Sequence, residues 1–325
     1  MSEQILRQAK NEVSLVGVVQ ESTLEQKIFD KKDGSGTYVA ISGNITLKTG
    51  EDETQVVSYF AKQLTLDGKE NQNFKALNTV MKDLVTLADI AQGLTEGEAT
   101  RLECKGELGL NEYRGQDGEI KSFPRINGRY SPRRFKDGKF VPKAEFDIEG
   151  IVKSVKPELY KGEETGRLKI NLYVPLYGGK IVPLQFVTNE GIKESDIDYL
   201  HDNFLPGASV NLNGKLVNKS KEITRTIEMG FGDNKVETTY ERTREFVVTG
   251  GIVYEEGGEN EKKIFDVSLL KEALANRERH LATLRERDTS KKEEKKLGFG
   301  SNSAPNTKKP EETIEDNFDN LFGED

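Results

Sequence analysis

The chain has 325 residues, a length that corresponds to about two domains. Hydrophobic residues make up 34% and charged residues 32%, which predicts folded cores together with a solvated segment. Cys104 is the single cysteine, so an internal disulfide is excluded and a reducing, cytoplasmic setting is expected. The N-terminal residues contain neither a membrane-spanning apolar run nor a signal-peptide pattern, so we expect a soluble, unexported protein.

The net charge of −8 is distributed unevenly along the chain. Residues 311–325 contain seven acidic residues and no basic one, whereas residues 121–143 contain eight basic residues against one acidic residue. The chain therefore combines a basic middle with an acidic end, and an acidic net charge does not exclude an anionic ligand.

An internal repeat organises most of the chain. Residues 11–22 resemble residues 144–155, and each copy continues with alternating apolar and polar residues that predict half-buried strands. Helical spacing follows in both copies, at 74–88 and at 197–204, before two further strands. The order strand, strand, strand, helix, strand, strand is that of an OB barrel. Glycines within the strands would supply its bends, although ordinary turns of another small β-fold would also use them.

The predicted fold is all-β with a minor helical part: two tandem five-stranded OB-type β-barrels, a C-terminal helix and a disordered acidic tail. We expect the first barrel within residues 1–130 and the second within 144–256, with a basic connector at 131–143. A charged helical segment at 257–288 would contain a helix over about 266–287. Residues 289–325 have almost nothing to bury and predict a disordered linker and tail.

Catalytic patterns are weak. The two histidines, His201 and His280, lie in different segments among polar residues, and one cysteine with two histidines gives no zinc-site spacing. No phosphate-binding glycine loop occurs. Lys31-Lys32-Asp33-Gly34 superficially matches the lysine motif of nucleotidyl transferases but falls in a predicted turn without companion motifs. We therefore expect a protein that is not an enzyme and has no metal or cofactor.

The strongest binding pattern is the interleaving of aromatic and basic residues at 121–143. Cations can follow the phosphates of a single strand while aromatic rings stack on its bases. A solvated hairpin whose aromatic residues belong to the core is the alternative, above all for Phe123 and Phe140. The candidate nucleic-acid-binding residues are Tyr38, Tyr113, Arg114, Lys121, Arg125, Arg129, Tyr130, Arg133, Arg134, Phe135, Lys136, Lys169, Tyr173 and Tyr177.

The acidic tail has a second feature besides its charge. Ile314, Phe318, Leu321 and Phe322 are spaced so that they could line one face of a helix formed on a partner. So short and charged a segment should not fold alone. With Glu324 and Asp325, these residues form the predicted partner-binding tail, and a merely solubilising acidic end is the alternative.

These features resemble the bacterial and bacteriophage single-stranded DNA-binding proteins. The likeness lies in the G-x-x-x-x-L-x-x-x-G-x-L run at Gly97–Leu108, in Asn111-Glu112-Tyr113 with the turn Gln116-Asp117-Gly118, and in the linker and acidic tail. The chain departs from that family where Phe322 is followed by three more residues and where stacking tryptophans are absent. The resemblance implies a phage-encoded protein with fewer subunits than single-barrel relatives.

The resulting hypothesis is sequence-tolerant binding and protection of single-stranded DNA in replication, recombination or repair. The tail would recruit replication or recombination enzymes, and the protein would be a monomer or dimer with no membrane association. The alternative is an OB-fold interaction or virion assembly module that does not bind nucleic acid.

Overall fold

The computed structural model describes residues 5–31, 33–135, 139–229, 231 and 233–294, with side chains up to residue 286. Lys136 and the six predicted tail residues lie outside the described residues. Strands dominate the described part, so the prediction of a mainly β protein with a C-terminal helix is confirmed.

The first half of the chain forms a closed circuit of paired strands, here called the first ring. The circuit runs β1–β3–β4–β6–β5 and returns from β5 to β1. Its one parallel pairing joins β4 to β6, and β2 is added at the edge of β3. The elements are β1 (Asn11–Ser22), β2 (Glu25–Asp30), β3 (Thr37–Lys48), β4 (Thr54–Lys62), α1 (Gln72–Asp83), α2 (Leu87–Ala91), β5 (Arg101–Arg114), β6 (Ile120–Gly128) and β7 (Arg133–Arg134).

The second half repeats this pattern as the second ring. Its circuit runs β8–β9–β10–β12–β11 and returns to β8, again with one parallel pairing, between β10 and β12. In chain order each circuit thus has three strands, a helical segment and two strands, as predicted from the repeat, with β2 and β7 outside the circuit of the first ring. The elements are β8 (Lys143–Tyr160), β9 (Glu163–Pro175), β10 (Ile181–Thr188), α3 (Glu194–Asn203), β11 (Ser209–Ile227), β12 (Lys235–Val253) and α4 (Leu270–Glu294).

Alternation of apolar residues fills the inside of each ring, and the buried residues of both rings belong to one continuous core. In β3, Ile41, Ile45 and Leu47 have no exposed surface, and in β9 the alternate residues from Leu168 to Val174 are buried. Successive strand side chains point to opposite faces, so these residues fill the interior while their neighbours face outward. The apolar strand faces predicted from the sequence are confirmed.

The two rings are joined by antiparallel pairing of β1 with β8, from Asn11 opposite Ile148 to Val16 opposite Lys143. A single continuous sheet therefore passes through both rings. Within the first ring, the buried Asn11 side chain ties β1 to β5: its amide nitrogen donates to the Leu108 carbonyl oxygen at 2.7 Å and its amide oxygen accepts from the Leu108 N–H at 2.9 Å.

A buried carboxylate fastens the N-terminal segment to the second ring. Glu149 accepts hydrogen bonds from Arg7 at 2.7 Å, from the Lys10 N–H at 3.0 Å and from the Tyr254 hydroxyl at 2.8 Å. Burial alone would raise the pKa of Glu149, but these donors outweigh burial and hold that pKa below its ordinary value. Above the ordinary carboxyl pKa the ionised network stabilises the fold, and this contribution is lost as pH falls through the depressed value.

Strands β11 and β12 are longer than the sequence predicts. Their paired ends, residues 219–227 and 235–243, extend past the ring as a two-stranded ribbon. The base of the ribbon packs on the first ring, where the Gln55 amide donates to the Leu216 carbonyl oxygen at 3.0 Å and the Asn218 amide to that of Thr54 at 2.7 Å. Charged residues interrupt the alternation of apolar and polar residues at 219–243, and the sequence therefore did not predict the ribbon.

Helix α4 begins at Leu270 and ends at Glu294, later at both ends than predicted. Its Arg277 pairs with Glu112 of β5 and also donates to the Ile181 carbonyl oxygen, at 3.3 Å, at the start of β10. The helix therefore contacts both rings through one largely buried guanidinium. No described helix is long and apolar enough to cross a membrane.

A glycine is required where β11 bends. The register of β11 against β12 shifts between Asn213 and Gly214, and a Cβ at Gly214 would lie 2.0 Å from the Val247 carbonyl oxygen. A Cβ at Gly250, which pairs with Asn213, would meet only side-chain atoms of Asn213, at 3.1 Å.

We expect Gly214→Ala to lower the free energy of unfolding by about 2 kcal/mol or more, because the clash is with backbone that cannot rotate away. Gly250→Ala is the matched control and should cost well under half of that. Chemical denaturation of both variants measures the difference. Equal small losses would show that the bend at Gly214 tolerates a side chain.

Candidate nucleic-acid interface

The outer face of the first ring has a group of aromatic side chains, here called the aromatic cluster: Phe29, Tyr38 and Phe60. Phe29 of β2 lies directly opposite Tyr38 of β3, and their rings stack with centroids 5.5 Å apart and planes 19° apart. Phe60 of β4 meets Phe29 edge-on at 5.8 Å and is 53% exposed. Three aromatic side chains from three neighbouring strands thus form one surface.

A cation accompanies the aromatic cluster. The Lys62 ammonium lies 4.6 Å from the centre of the Tyr38 ring. A groove of about 810 Å³ begins at these two residues and continues along Lys31 and the Leu64–Leu66 turn. Tyr38 of the aromatic cluster and the side chains of Lys31 and Lys62 therefore border the same groove.

The β5–β6 hairpin contributes a second aromatic pair. Tyr113 stacks on Phe123 with centroids 5.8 Å apart and planes 23° apart, and Tyr113 is 45% exposed. Arg114 is less available than predicted, because its guanidinium donates to the Gly118 carbonyl oxygen at 3.1 Å and to that of Arg285 at 2.9 Å. Lys121 lies 3.7 Å from Asp117, so this cation is partly neutralised.

Residues 129–135, which include the start of the basic connector and are called the connector from here on, follow β6 and run back along β5. Arg129, Tyr130 and Arg133 are exposed, and the Arg129 guanidinium lies 5.9 Å from the centre of the Tyr130 ring. Arg134 is instead tied to the end of α1, where it donates to the Asp83 carbonyl oxygen. Phe135 packs edge-on against Phe140 at 5.6 Å.

The connector and the β5–β6 hairpin are far apart. Arg134 pairs with Leu102 near the start of β5, whereas Arg114 ends that strand. The intervening strand spans roughly 40 Å at about 3.3 Å per residue. The predicted site residues therefore do not form one compact site, and a ligand that contacts both groups must be extended.

On the second ring, Lys169 and Tyr173 share the outer face of β9, where Tyr173 lies opposite Pro183 of β10. Tyr177 follows in a turn and is 82% exposed. Arg167, which precedes them on that face, is paired with Glu245 at 2.8 Å and with Glu158 at 2.7 Å. Those hydrogen bonds raise the pKa of Arg167 and occupy most of its donors, so Arg167 is less available to a ligand.

Sequence reasoning missed Phe29 and Phe60. Alternation at 54–62 does place Phe60 outward, since Tyr59 and Ala61 are buried, so the signal was present. Phe29 lies in β2, an edge strand with no apolar alternation, and nothing in the sequence marks it as the partner of Tyr38. Among the described residues, no group of three or more His, Cys, Asp or Glu side chains is arranged to hold a metal ion.

Comparison with known proteins gives a family and two similar structures. The model of the YorF family matches residues 10–295, most of the chain. The chain belongs to the YorF family. No curated protein matches this YorF sequence.

Two crystal structures of the single-stranded DNA binding protein from Thermus aquaticus are similar to this YorF-family chain. The wild-type protein has 12% sequence identity and a TM-score of 0.41 over 78% of this chain and 96% of that chain. A deletion mutant has 13% identity and a TM-score of 0.41 over 77% of this chain and 96% of that chain.

The connector of this YorF-family chain can be tested apart from the fold. On the hypothesis that the connector contacts single-stranded DNA, changing Arg129, Tyr130 and Arg133 together to Ala should weaken binding of a single-stranded oligonucleotide at least tenfold, because two candidate phosphate partners and one candidate stacking side chain are removed. The melting temperature should hardly change, since all three side chains are exposed. Fluorescence titration and thermal unfolding measure the two effects.

The control removes two exposed cations elsewhere, through Lys262→Ala with Arg279→Ala. It should leave binding within about twofold. A loss as large as that of the connector variant would attribute the effect to overall charge, and unchanged binding by the connector variant would remove the connector from the interface.

Proposed function

We propose that this protein binds single-stranded DNA without sequence preference, with the outer face of the first ring as its main contact surface. The observation that carries the proposal is the aromatic cluster with Lys62 beside it. Aromatic side chains from three strands lie together on the outer face of the first ring. They are not part of its buried core. Exposed apolar surface of this kind indicates a binding site.

The chemistry of the surface fits an unpaired strand. Every base has a flat π-face, so stacking on Phe60 or Tyr38 does not depend on sequence, and each stack contributes about 1–3 kcal/mol. Lys62 and Lys31, at the same groove, supply ammonium groups for phosphates. Duplex DNA keeps its bases stacked inside and would gain only the charge contribution.

The two rings would act as two binding domains along one extended strand. The Tyr113–Phe123 pair and the exposed connector residues belong to the first ring, like the aromatic cluster. Tyr173 and Tyr177 are further aromatic side chains on the second ring. The separation of these groups favours a strand that passes over the surface. Such binding would serve to cover and protect unpaired DNA in replication, recombination or repair, without catalysis.

Phe60 gives the most direct test. Phe60→Leu keeps an apolar side chain but removes the flat ring, so affinity for single-stranded DNA should fall by about 1–3 kcal/mol, a factor of about five to 150. Phe60→Tyr should keep the affinity. Titrations with single-stranded DNA, RNA of the same sequence and duplex DNA measure the effect and the preference.

Tyr199→Leu, at an exposed aromatic residue of α3, is the matched control and should leave binding unchanged. Equal affinity of the wild-type protein for duplex and single strands would overturn the proposal, as would full affinity in Phe60→Leu. An interaction module that does not bind nucleic acid would give no binding at low salt in any arm.

We further propose that the acidic tail recruits replication or recombination enzymes through Ile314, Phe318, Leu321 and Phe322. The support is the spacing of these residues in a segment whose acids would keep it solvated. When no strand is bound, the acidic residues would also occupy the basic surface, so that incoming DNA has to displace them.

Deletion of 311–325 should preserve or tighten affinity for single-stranded DNA and abolish binding of a purified partner enzyme. Changing the four apolar tail residues to Ser retains all seven acids. It should abolish partner binding and leave DNA affinity at the wild-type value. Partner binding that survives in both variants would refute the tail assignment.

A further inference from the structure

A guanidinium from the second ring reaches the first ring at the base of the ribbon. Arg244 of β12 is half-buried and donates to the Pro124 carbonyl oxygen of β6 at 2.7 Å. That carbonyl belongs to the peptide between Pro124 and Arg125, so the guanidinium lies within roughly 6 Å of the Arg125 backbone. A guanidinium of the second ring therefore lies beside the backbone of Arg125 in the first ring, at the seam between the two rings.

Neither arginine has an acidic partner. In the described part of the chain no carboxylate lies within 4.0 Å of either guanidinium, whereas Arg7, Arg167 and Arg277 each pair with a glutamate. The Nε of Arg125 is buried and has no hydrogen-bond partner among the described residues. Burial lowers the pKa of Arg244, as expected for a cation without a counter-charge.

The repeat shows what the second ring has at the equivalent position. Leu108 pairs with Ile126 in the first ring and Leu216 with Phe246 in the second, in both cases two residues after the matched glycines Gly106 and Gly214. This register aligns Arg125 with Glu245. Glu245 neutralises Arg167 at 2.8 Å. The first ring thus has a cation where the second has an acid that is already paired.

A partly desolvated cation without an acid is costly to keep, and this holds for both arginines. An anion between them removes both penalties, and the guanidinium fork matches the oxygens of a phosphate. We propose that Arg125 and Arg244 together bind one backbone phosphate of a single strand that crosses from the first ring to the ribbon. This inference rests on the proposed DNA binding and adds a phosphate site at the seam.

Aromatic side chains flank this site on both sides. Phe123 shares the outer face of β6 with Arg125 and stacks on Tyr113. On the ribbon, Tyr240 and Arg242 lie on the same face of β12 as Arg244, because alternate strand residues point the same way, and both are exposed. A strand held at the seam would therefore have a stacking ring before it and another after it.

The test is the salt dependence of binding to an oligonucleotide of about 30 nucleotides, long enough to span two OB-type sites. Each lost phosphate contact on a single strand lowers the slope of log K against log salt by about 0.7. Arg125→Gln with Arg244→Gln should lower the slope by about that amount or up to twice it, and weaken binding about tenfold or more at low salt. Phe60→Leu should weaken binding with the slope unchanged.

Arg225→Gln is the matched control, an exposed arginine on the opposite face of the ribbon, and should leave the slope within error. If Arg244→Gln lowers the melting temperature, Arg125→Gln alone decides, since its Nε loses no hydrogen bond and its slope should still fall by about 0.7. An unchanged slope in Arg125→Gln, with a wild-type protein that binds, overturns the seam site and leaves the proposed function standing. A wild-type protein that binds no single-stranded DNA overturns the proposed function itself.

Discussion

The antiparallel pairing of β1 with β8 is the constraint on which the arrangement of the molecule depends. The two strands are the matching first strands of the repeat, and Val13 pairs with its own counterpart, Phe146. On either side the partners exchange roles: Asn11 pairs with Ile148, and Leu15 with Ala144. This is the self-complementary pattern of a two-fold interface, here formed within one chain. The rings are therefore related as the subunits of a dimer are, and the junction cannot slip without turning apolar residues outward.

A near-symmetric junction brings equivalent parts of the two rings face to face. At one such contact the first and second copies of the repeat carry different residues. The register that matches Ile126 with Phe246 also matches Pro124 with Arg244, so the contact between these two residues joins equivalent positions. Symmetry alone would place two identical side chains there, and two arginines would repel. A proline carbonyl in one ring and a guanidinium in the other make the contact favourable. The outer faces have diverged too, with the aromatic cluster in the first ring and the acid-paired Arg167 in the second.

The sequence was sufficient for what depends on periodicity and insufficient for what depends on long-range placement. Alternation and the repeat predicted the strand order of both rings, because a strand with one buried face must alternate. The ribbon at 219–243 has no core to bury, so its strands follow no apolar pattern and could not be predicted. Tyr38 stacks on Phe29 because β2 pairs with β3. Arg244 contacts Pro124 because the two rings pack together. Neither contact is visible in the sequence. The sequence prediction grouped Arg114 with the connector arginines because all lie in one basic, aromatic stretch of the sequence. In the structure, Arg114 is at the end of β5 and the connector arginines pair near its start.

Rigidity of the β5–β6 hairpin bears on how the surface would bind. Arg114 donates to the Gly118 carbonyl oxygen at the hairpin turn and to the Arg285 carbonyl oxygen of α4, and Arg277 of the same helix pairs with Glu112. These contacts hold the strand that carries Tyr113 on both sides of this residue, and the Tyr113 side chain is 45% exposed. A side chain ordered in advance loses less conformational freedom when a base stacks on it, and more of the stacking energy appears as affinity. In the proposed binding, Arg114 and Arg277 would therefore contribute without contacting a phosphate, because they hold the strand that carries Tyr113.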